Sequence, residues 1–367
     1  MMWSVIKEEW RAVWHDEGVT LIVVFALFIY GISYSLGYGG EVLNDVPVAV
    51  VGDEQGAKSR ELVRMLDASP QLRVTHEAAD MAEAEQLLRE RKVWGVVALS
   101  PELEKDILLG QQARVAILGD ASYFLAYREV VEGAVATIQQ MNEQIIIERE
   151  GAYNPPIIYE QRNLFNPSLG YGIFVMPAII LLILQQTALI GVGMVSATRR
   201  ERGLRYRSRS AFVVTLGRTV VYLVAYALTL GFMLTLHYSL FDYPMRGEWW
   251  QCVAVIVPYL LAVIFLAQTL GALFRRRESS IVWLLWLSIP FLLVSGVSLP
   301  PEAFPHYLYI IGKVVPSSSA VDAWIAVQSR GATLADIVPE LTTLWCLVAV
   351  YGVGAVVANR RTITRRD

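Results

Sequence analysis

The stretch ATRRERGLRYRSRS, from Ala197 to Ser210, decides how this chain is organised. Two apolar runs flank it, Tyr171–Ser196 and Ala211–Leu236, and each is long enough to contain a helix that spans a membrane. Its six arginines are accompanied by one acid, Glu201. Short basic loops between spans stay in the cytoplasm, so this stretch fixes the orientation of the neighbouring spans. Two interpretations are open: a topology anchor and nothing more, or a docking surface for a soluble partner.

The composition indicates an integral membrane protein that carries one sizeable soluble part. Hydrophobic residues make up 55% of the 367 residues and charged residues only 18%, whereas soluble domains have about 25% charged residues. Cys252 and Cys346 both lie in apolar runs, which argues against a disulfide framework. The four histidines are scattered and show no metal-binding spacing.

The apolar runs predict six transmembrane helices. They are Gly18–Leu36, Tyr171–Val195, Thr219–Leu236, Trp250–Leu273, Ile281–Leu299 and Leu341–Ala358. Arg218 comes just before the third of them, where we expect its long side chain to snorkel to the interface. Arg275–Arg277 and the C-terminal arginines fall on the same side as the Ala197–Ser210 stretch. Both termini are therefore expected in the cytoplasm.

The N-terminal segment, residues 1–17, predicts an amphipathic helix that lies on the membrane. Its apolar face carries the tryptophans together with Ile6 and Val13, and the polar face is expected to carry Lys7, Glu8, Glu9 and Arg11. Tryptophan rings suit the headgroup level of the interface. A helix packed on protein is the alternative.

Residues 37–168 alternate between short β-branched runs and stretches of helical periodicity. The predicted strands are Val46–Val51, Leu72–His76, Val93–Leu99 and Arg114–Leu118, and the predicted helices are Lys58–Leu66, Met81–Arg91 and Tyr123–Glu150. This alternation predicts an inserted α/β domain. One span on either side places the domain outside the cytoplasm. Gly52-Asp53 invites a nucleotide-binding interpretation, but a tight turn explains it equally well, and no GxGxxG or P-loop motif occurs in the chain.

Residues 300–339 combine several prolines with an apolar run, Tyr307–Val315, that is too short to span a membrane. Non-helical backbone at membrane depth persists only where protein or a water-filled cavity satisfies it. We expect a re-entrant segment on the outer side, with an amphipathic outer loop as the alternative.

No catalytic arrangement emerges from the sequence. Ser317-Ser318-Ser319 has no histidine nearby to complete a catalytic triad, and GxSxG is absent. Three glutamines in the predicted spans, Gln185, Gln186 and Gln268, are weak candidates for a substrate pathway, although interhelical hydrogen bonding is the commoner use of such residues. The later spans contain almost no charged residues away from their ends, which argues against a proton- or sodium-coupled transporter.

The chain resembles the ABC-2 type permeases, the membrane subunits of ABC exporters, and in particular those with a large extracytoplasmic domain between the first two spans. The resemblance rests on the N-terminal helix, the FNPS sequence at 165–168, Arg200-Glu201-Arg202-Gly203, the LPPEAFP sequence at 299–305, and Pro316 and Gly331 before the last span. One departure is Leu204, since family members commonly have threonine after the glycine and a proline some ten residues on.

The resemblance implies that ATP and Mg are bound by a separate cytoplasmic ABC ATPase subunit and that this chain holds no cofactor. Five residues would then couple the two subunits: Arg199, Arg200, Glu201, Arg202 and Gly203. A second permease copy or a paralogue would complete the pathway in the inner membrane of a bacterium, among membrane lipids. A periplasmic adaptor is a further partner that the resemblance allows, and nucleic acid is not expected. The competing hypothesis is a membrane-anchored receptor or assembly protein, and a membrane-embedded enzyme comes third.

Overall fold

The computed structural model describes residues 2–37, 43–52, 56–120, 124–150, 171–208, 210–297 and 304–363. The chain forms two compact units, one made of Met1–Gly39 and Leu164–Asp367 and the other of Gly40–Asn163. The sequence features at Asp53, at 165–168 and at 299–303 lie outside the described residues.

The first unit begins with two helices. Helix α1 is Met2–Trp14 and helix α2 is Glu17–Gly37, which contains a π-helical turn at Leu21–Phe25. Asp16 separates the two helices, and its carboxylate accepts a hydrogen bond from the backbone N–H of Val19 at 3.1 Å. Aspartate is a preferred N-cap because its side chain satisfies one of the free N–H groups of the first turn. The direction of the chain therefore changes at a capped junction.

The Gly40–Asn163 unit contains a small four-stranded sheet with helices. In chain order its elements are β1 (Val46–Val51), α3 (Ala57–Asp67), β2 (Leu72–Ala78), α4 (Met81–Arg89), β3 (Gly95–Leu99), α5 (Leu103–Leu109), β4 (Val115–Gly119) and α6 (Phe124–Glu150). The strand order is β2-β1-β3-β4. Strand β1 is parallel to both neighbours, and β4 pairs antiparallel with β3 at the edge.

The central strand β1 is buried on both faces, as its unbroken apolar sequence predicts for a covered parallel strand. Val48 packs with Leu62 in one cluster, whereas Ala49 packs with Ala84 in a second cluster. Successive side chains of a strand point to opposite faces. Helices α3 and α4 therefore lie on opposite faces of the sheet.

The remaining helices return to the first unit. They are α7 (Tyr171–Glu201), α8 (Ala211–Leu240), α9 (Trp249–Gly271), α10 (Arg277–Trp286), α11 (Ser288–Leu293), α12 (His306–Val314), α13 (Pro316–Gln328) and α14 (Val338–Asn359). Helix α7 packs against α2, α9, α10 and α13. The hydroxyl of Tyr259 in α9 donates to the carbonyl of Leu181 in α7 at 2.5 Å. Helix α7 is thus the most buried of the candidate spans.

Among the described residues, five helices are long and apolar enough to cross a membrane: α2, α7, α8, α9 and α14. A sixth is added if α12 and α13, which meet at 92°, form one span. The protein is therefore a helical membrane-type protein with five to six apolar spans. A bent pair of this kind is either a broken span or a re-entrant segment, so the outer position predicted for residues 300–339 stays a prediction.

The predicted fifth span, Ile281–Leu299, differs from the structure. Two shorter helices, α10 and α11, occupy this region, and the helix is interrupted at Leu287. Pro290 has no N–H to donate to the carbonyl of Trp286, and its ring crowds that carbonyl. The proline therefore explains why a continuous apolar run does not form one continuous helix.

Candidate functional site

The sequence predicts a loop over the whole basic stretch 197–210. In the structure only part of it is a loop, because α7 continues to Glu201. Gly203 ends the helix with a left-handed backbone, φ 64°. The N–H of Gly203 donates to the carbonyl of Arg200 at 3.1 Å, and the N–H of Leu204 donates to that of Arg199 at 2.8 Å. These two bonds define a Schellman motif, which favours glycine at this position. The five predicted coupling residues therefore form the last turn and the cap of α7.

The structure divides these five residues into two groups. Glu201, Arg202 and Gly203 are exposed. Arg199 forms an ion pair with Glu8 of α1 at 3.0 Å, and its guanidinium lies 3.6 Å from the ring centroid of Tyr206. Within the part of the chain that the structure describes, the first group can therefore contact a soluble partner without breaking a side-chain ion pair of the kind that holds Arg199.

Arg200 is also held within the chain. It donates to the carbonyl of Phe274 at 3.1 Å and to the carbonyl of Ala272. Both carbonyls lie just beyond the C-terminal end of α9, where a cation is favoured by the helix dipole. Arg200 thus joins the ends of α7 and α9.

A groove of about 300 Å³ lies between α1 and the end of α7. It is lined by charged side chains of both signs, namely Glu8, Arg11, Asp16, Arg199 and Arg202, together with apolar and neutral residues. Arg202 is the member that is exposed and also belongs to the predicted coupling set. This groove can therefore receive a segment that carries both an acid and a base.

The junction between α1 and α2 is tied to α10 by an ion pair. Arg277 donates through one terminal nitrogen to Asp16 Oδ1 at 2.7 Å and through the other to Oδ2. Such a two-point contact matches the planar guanidinium to the carboxylate. The hydrogen bond from Arg277 is the largest effect on the pKa of Asp16 and holds it below its ordinary value, against the opposing effect of partial burial.

Glu9 of α1 is fully buried, contrary to the polar face predicted for it. The buried stripe of the helix is Val5, Glu9 and Val13, while Trp3 and Trp10 are exposed. Positions four residues apart lie on one face of a helix, so Glu9 sits between the two valines. Val13, predicted on the membrane face, is also buried. Helix α1 therefore packs on α8 with one face, as the alternative of a helix packed on protein predicts. Trp3 and Trp10 are exposed, and the position of α1 on the membrane stays a prediction.

Arg218 of α8 is the partner of Glu9, and the sequence-based expectation that it snorkels is wrong. Its Nε donates to Glu9 Oε1 at 2.9 Å, and its side chain is only 2% exposed. Its terminal nitrogens donate to Ser196 of α7 at 2.7 Å and to Asn359 of α14 at 3.0 Å. Four helices therefore meet at one guanidinium.

Two tyrosines complete the coordination of Glu9. The hydroxyl of Tyr222 donates to Oε1 at 2.9 Å, and the hydroxyl of Tyr206 donates to Oε2. Burial is the largest effect on the pKa of Glu9 and would raise it. The charge of Arg218, that of Arg199 and the hydrogen bonds outweigh burial and hold the pKa below the ordinary value. Glu9 is thus a buried carboxylate with both oxygens satisfied.

Gln268, a predicted pathway residue, belongs to the same network. Its amide nitrogen donates to Thr219 at 2.9 Å, and its amide oxygen accepts from Asn359 at 2.8 Å. Asn359 also donates to Thr215 at 3.0 Å. The contacts of Gln268 are interhelical hydrogen bonds that connect α8, α9 and α14.

The other two glutamines lie elsewhere in the helical unit. Gln185 accepts from the N–H of Ser317 at 3.0 Å and donates to the Ser317 hydroxyl at 3.1 Å, so its amide satisfies the first turn of α13. Gln186 donates to the carbonyl of Leu284 at 2.6 Å. A cavity of about 260 Å³ is lined by both, with residues of α2, α7 and α11, and Gln268 is not among the described residues that line it. The structure therefore does not bring the three glutamines together.

Sequence reasoning missed Glu9 and Arg218 as a pair. Two signals could have found them. Glu9 stands at helical spacing between Val5 and Val13, and Arg218 is the single charged residue of the apolar run Ala211–Leu236. Charged residues inside such runs generally have a partner.

Comparisons with known proteins extend over nearly the whole chain. A family model described as "ABC-2 family transporter protein" matches residues 18–357. The chain is similar to the probable multidrug ABC transporter permease YbhR of Escherichia coli K12, with 18% identity over 366 residues and 99% of both chains covered. It is also similar to the inner membrane transport permease YhhJ of E. coli K12, with 21% identity over 365 residues, 97% of this chain and 96% of that protein.

Proposed function

Because this chain belongs to the ABC-2 family transporter proteins, we propose that it is the membrane subunit of an exporter driven by a separate cytoplasmic ATPase. Homologues that match along nearly their full length are permeases of transporters. A receptor or assembly protein anchored by one or two spans would not need the five to six apolar spans of this chain. The transporter hypothesis is therefore favoured over the receptor.

The observation that supports this proposal best is the buried link between α1 and the helical unit. Helix α1 lines the charged groove together with the end of α7, and Glu9 connects the same helix to Arg218 of α8. A partner that displaces α1 would therefore move a carboxylate on which Arg218 and two tyrosines depend. Force applied at the groove would reach α8 and α14 through hydrogen bonds and not only through apolar contacts.

In this proposal the ATPase occupies the groove and contacts the exposed turn Glu201–Gly203. ATP and Mg bind in the ATPase, since this chain has no Walker motif. Arg202 offers a planar cation for a carboxylate of the partner, and Glu201 offers a carboxylate for a base. Arg199 and Arg200 act from within, because they hold the end of α7 against α1 and α9.

A second copy of the chain or a paralogue would complete the pathway. Helices α10 and α11 expose large apolar side chains, with Trp283 63%, Trp286 70% and Ile289 60% exposed. Lipid or another permease is the natural cover for such a surface in a membrane. A periplasmic adaptor is not required by any described feature.

The proposed topology places both termini and the basic clusters in the cytoplasm and the Gly40–Asn163 unit outside it. The basic ends of α7 and α14, with Arg275–Arg277, then obey the positive-inside rule. The membrane is the inner membrane of a bacterium, and the direction is outward. YbhR is named a probable multidrug permease, so a drug-like organic compound with a large apolar surface is our first choice of substrate.

The experiment uses inverted membrane vesicles that contain this chain together with a cognate ABC ATPase. We expect ATP-dependent accumulation of a fluorescent drug-like cation such as ethidium. A matched control carries an ATPase with its P-loop lysine changed to alanine, which should abolish accumulation. If vesicles with and without this chain hydrolysed ATP at the same rate and accumulated the same amount of dye, the proposal would be contradicted.

A further inference from the structure

The Gly40–Asn163 unit contains a cavity of about 720 Å³ that the transport proposal leaves without a role. Its walls are α3, α5, β4 with the residues before it, and α6. Pockets for small molecules commonly have volumes of about 300–1,000 Å³ and combine an apolar lining with a few polar groups. The cavity therefore has the size of a small-molecule site.

The mouth of the cavity is shaped by the end of α5. Gly110 has a left-handed backbone, φ 73°. Its N–H donates to the carbonyl of Ile107 at 3.2 Å, and the N–H of Gln111 donates to that of Asp106 at 2.8 Å. This cap turns the chain sharply and brings Gln111, Gln112 and Arg114 to the cavity.

The walls are fastened to one another by Lys58 at the start of α3. Its backbone N–H donates to the carboxylate of Glu104 in α5 at 2.8 Å. Its side-chain ammonium forms an ion pair with Glu148 in α6 at 2.8 Å. One residue thus holds α5 and α6 on either side of the cavity.

The floor of the cavity is apolar. Leu62, Leu103 and Met141 are 1%, 2% and 4% exposed, and Ile107 and Ile138 lie beside them. A ligand that covers this floor would be stabilised by about 25 cal/mol for each Å² of apolar surface removed from water. The floor therefore selects a ligand with an apolar body.

The charged side chains that line the cavity are both positive. Arg114 and Arg149 line it, and no acidic side chain occurs among the described residues that do so. Residues 40–163 contain 21 Asp and Glu against 12 Lys and Arg, so acids are in excess in the unit as a whole. The amides of Gln111, Gln112 and Asn142 add neutral donors. A positively charged cavity in an acidic unit favours an anionic head group.

We propose that this cavity binds an amphipathic organic anion, with its head group on Arg114 and Arg149 and its apolar body on the floor. Guanidinium groups bind carboxylates and similar anions through paired N–H donors. The proposal does not depend on the transport function, since binding to this unit requires neither ATP nor a partner.

The test uses the full chain in lipid nanodiscs and a photoreactive dodecanoic acid that carries a diazirine near its tail. We expect light to label peptides that contain 103–116 and 138–149. The matching dodecanol, which has no charge, is the control probe and should label these peptides much less. Equal labelling by both probes, or labelling confined to the apolar spans, would overturn the proposal.

Variants sharpen the test. The double variant Arg114→Gln, Arg149→Gln should need a concentration of the dodecanoic acid probe about tenfold higher or more for half-maximal labelling. The reason is that hydrogen bonds from two charged groups to the head group are lost. Arg73→Gln is the matched control, since Arg73 is an exposed arginine of the same unit that does not line the cavity. Ile107→Trp should block labelling by filling the floor. Unchanged labelling in the double arginine variant would overturn the proposal even if Ile107→Trp fails to fold.

Discussion

Glu9 and Arg218 are separated by 209 positions in the sequence, yet Glu9 Oε1 and Arg218 Nε lie 2.9 Å apart. The carboxylate belongs to the N-terminal helix, which the structure packs on the surface of α8, and the guanidinium belongs to α8 itself. Both side chains are buried. This pair is a buried polar connection between α1, which lines the proposed docking groove, and α8.

The first prediction concerns the cost of breaking this pair. Glu9→Gln and Arg218→Gln should each destabilise the protein by about 3–5 kcal/mol, because each leaves a buried charge without its partner. The double variant should lose much less than the sum of the two. The measurement is the thermal unfolding midpoint of the purified protein.

Glu8→Gln is the control for the buried pair. Glu8 pairs with Arg199 at 3.0 Å but is 27% exposed, so its loss should cost less than about 1 kcal/mol. Strictly additive effects of Glu9→Gln and Arg218→Gln would contradict the proposed coupling between the two residues.

The second prediction is a pH dependence at Asp16. The lowered pKa of Asp16 means that its ionised form stabilises the folded protein. That contribution to stability is complete above the pKa of Asp16 in the unfolded chain, about 3.9. It disappears as the pH falls through the lower pKa that Asp16 has in the folded protein. Asp16→Asn keeps an acceptor for the N–H of Val19 but loses the charge that faces Arg277.

The unfolding midpoint of Asp16→Asn should therefore lie below that of the unmodified protein at pH 7. The difference should shrink toward zero as the pH falls below about 4. High salt should also shrink it, because both side chains are about a quarter exposed. A difference that stays constant down to pH 3 would show that the charge does not contribute.

The third prediction concerns Gly203. No neighbouring atom would meet a Cβ at this position, so the effect of a substitution is conformational only. Gly203→Ala should cost about 1–2 kcal/mol because its φ of 64° is strained for a residue with a side chain. Gly203→Asn should cost less, since asparagine tolerates this backbone. Equal stability of all three proteins would contradict the Schellman cap.

The fourth prediction tests the topology with cysteines that are placed singly in a chain lacking Cys252 and Cys346. An impermeant thiol reagent added to intact spheroplasts should label Leu108→Cys. Leu108 is 72% exposed and belongs to the unit that is proposed to lie outside the cytoplasm. The reagent should not label Arg205→Cys until the membrane is permeabilised, because Arg205 is exposed and lies on the cytoplasmic side in the proposed topology. Labelling of Arg205→Cys in intact spheroplasts would reverse the proposed orientation.

Much of the fold could be predicted because the signals are local. The four strands begin and end within two residues of the predicted runs, since short β-branched runs between turn residues are typical of strands. Five of the six predicted spans correspond to long helices, because an apolar run of about 20 residues is also a local signal. The break at Leu287 was missed because hydropathy ignores the missing N–H of Pro290.

The candidate site could be predicted only in part. Exposure of Glu201 and Arg202 follows from their place at a basic helix end. The internal contacts of Arg200, and the burial of Glu9, depend on which helices pack together. Helical periodicity places a residue on a face of its helix but does not say whether that face meets water, lipid or another helix.

The measurement that bears most directly on the proposed coupling is ATP hydrolysis by the purified complex of this chain with its ATPase. We expect the Glu201→Gln and Arg202→Lys variants to assemble and insert normally but to hydrolyse ATP more slowly. Glu201→Gln removes the carboxylate that would pair with a base of the partner, and in Arg202→Lys an ammonium does not reproduce the planar fork of arginine. Arg276→Lys is the matched control, since Arg276 is exposed and does not line the groove. Hydrolysis at the unmodified rate in both Glu201→Gln and Arg202→Lys would leave the basic end of α7 as a topology anchor only.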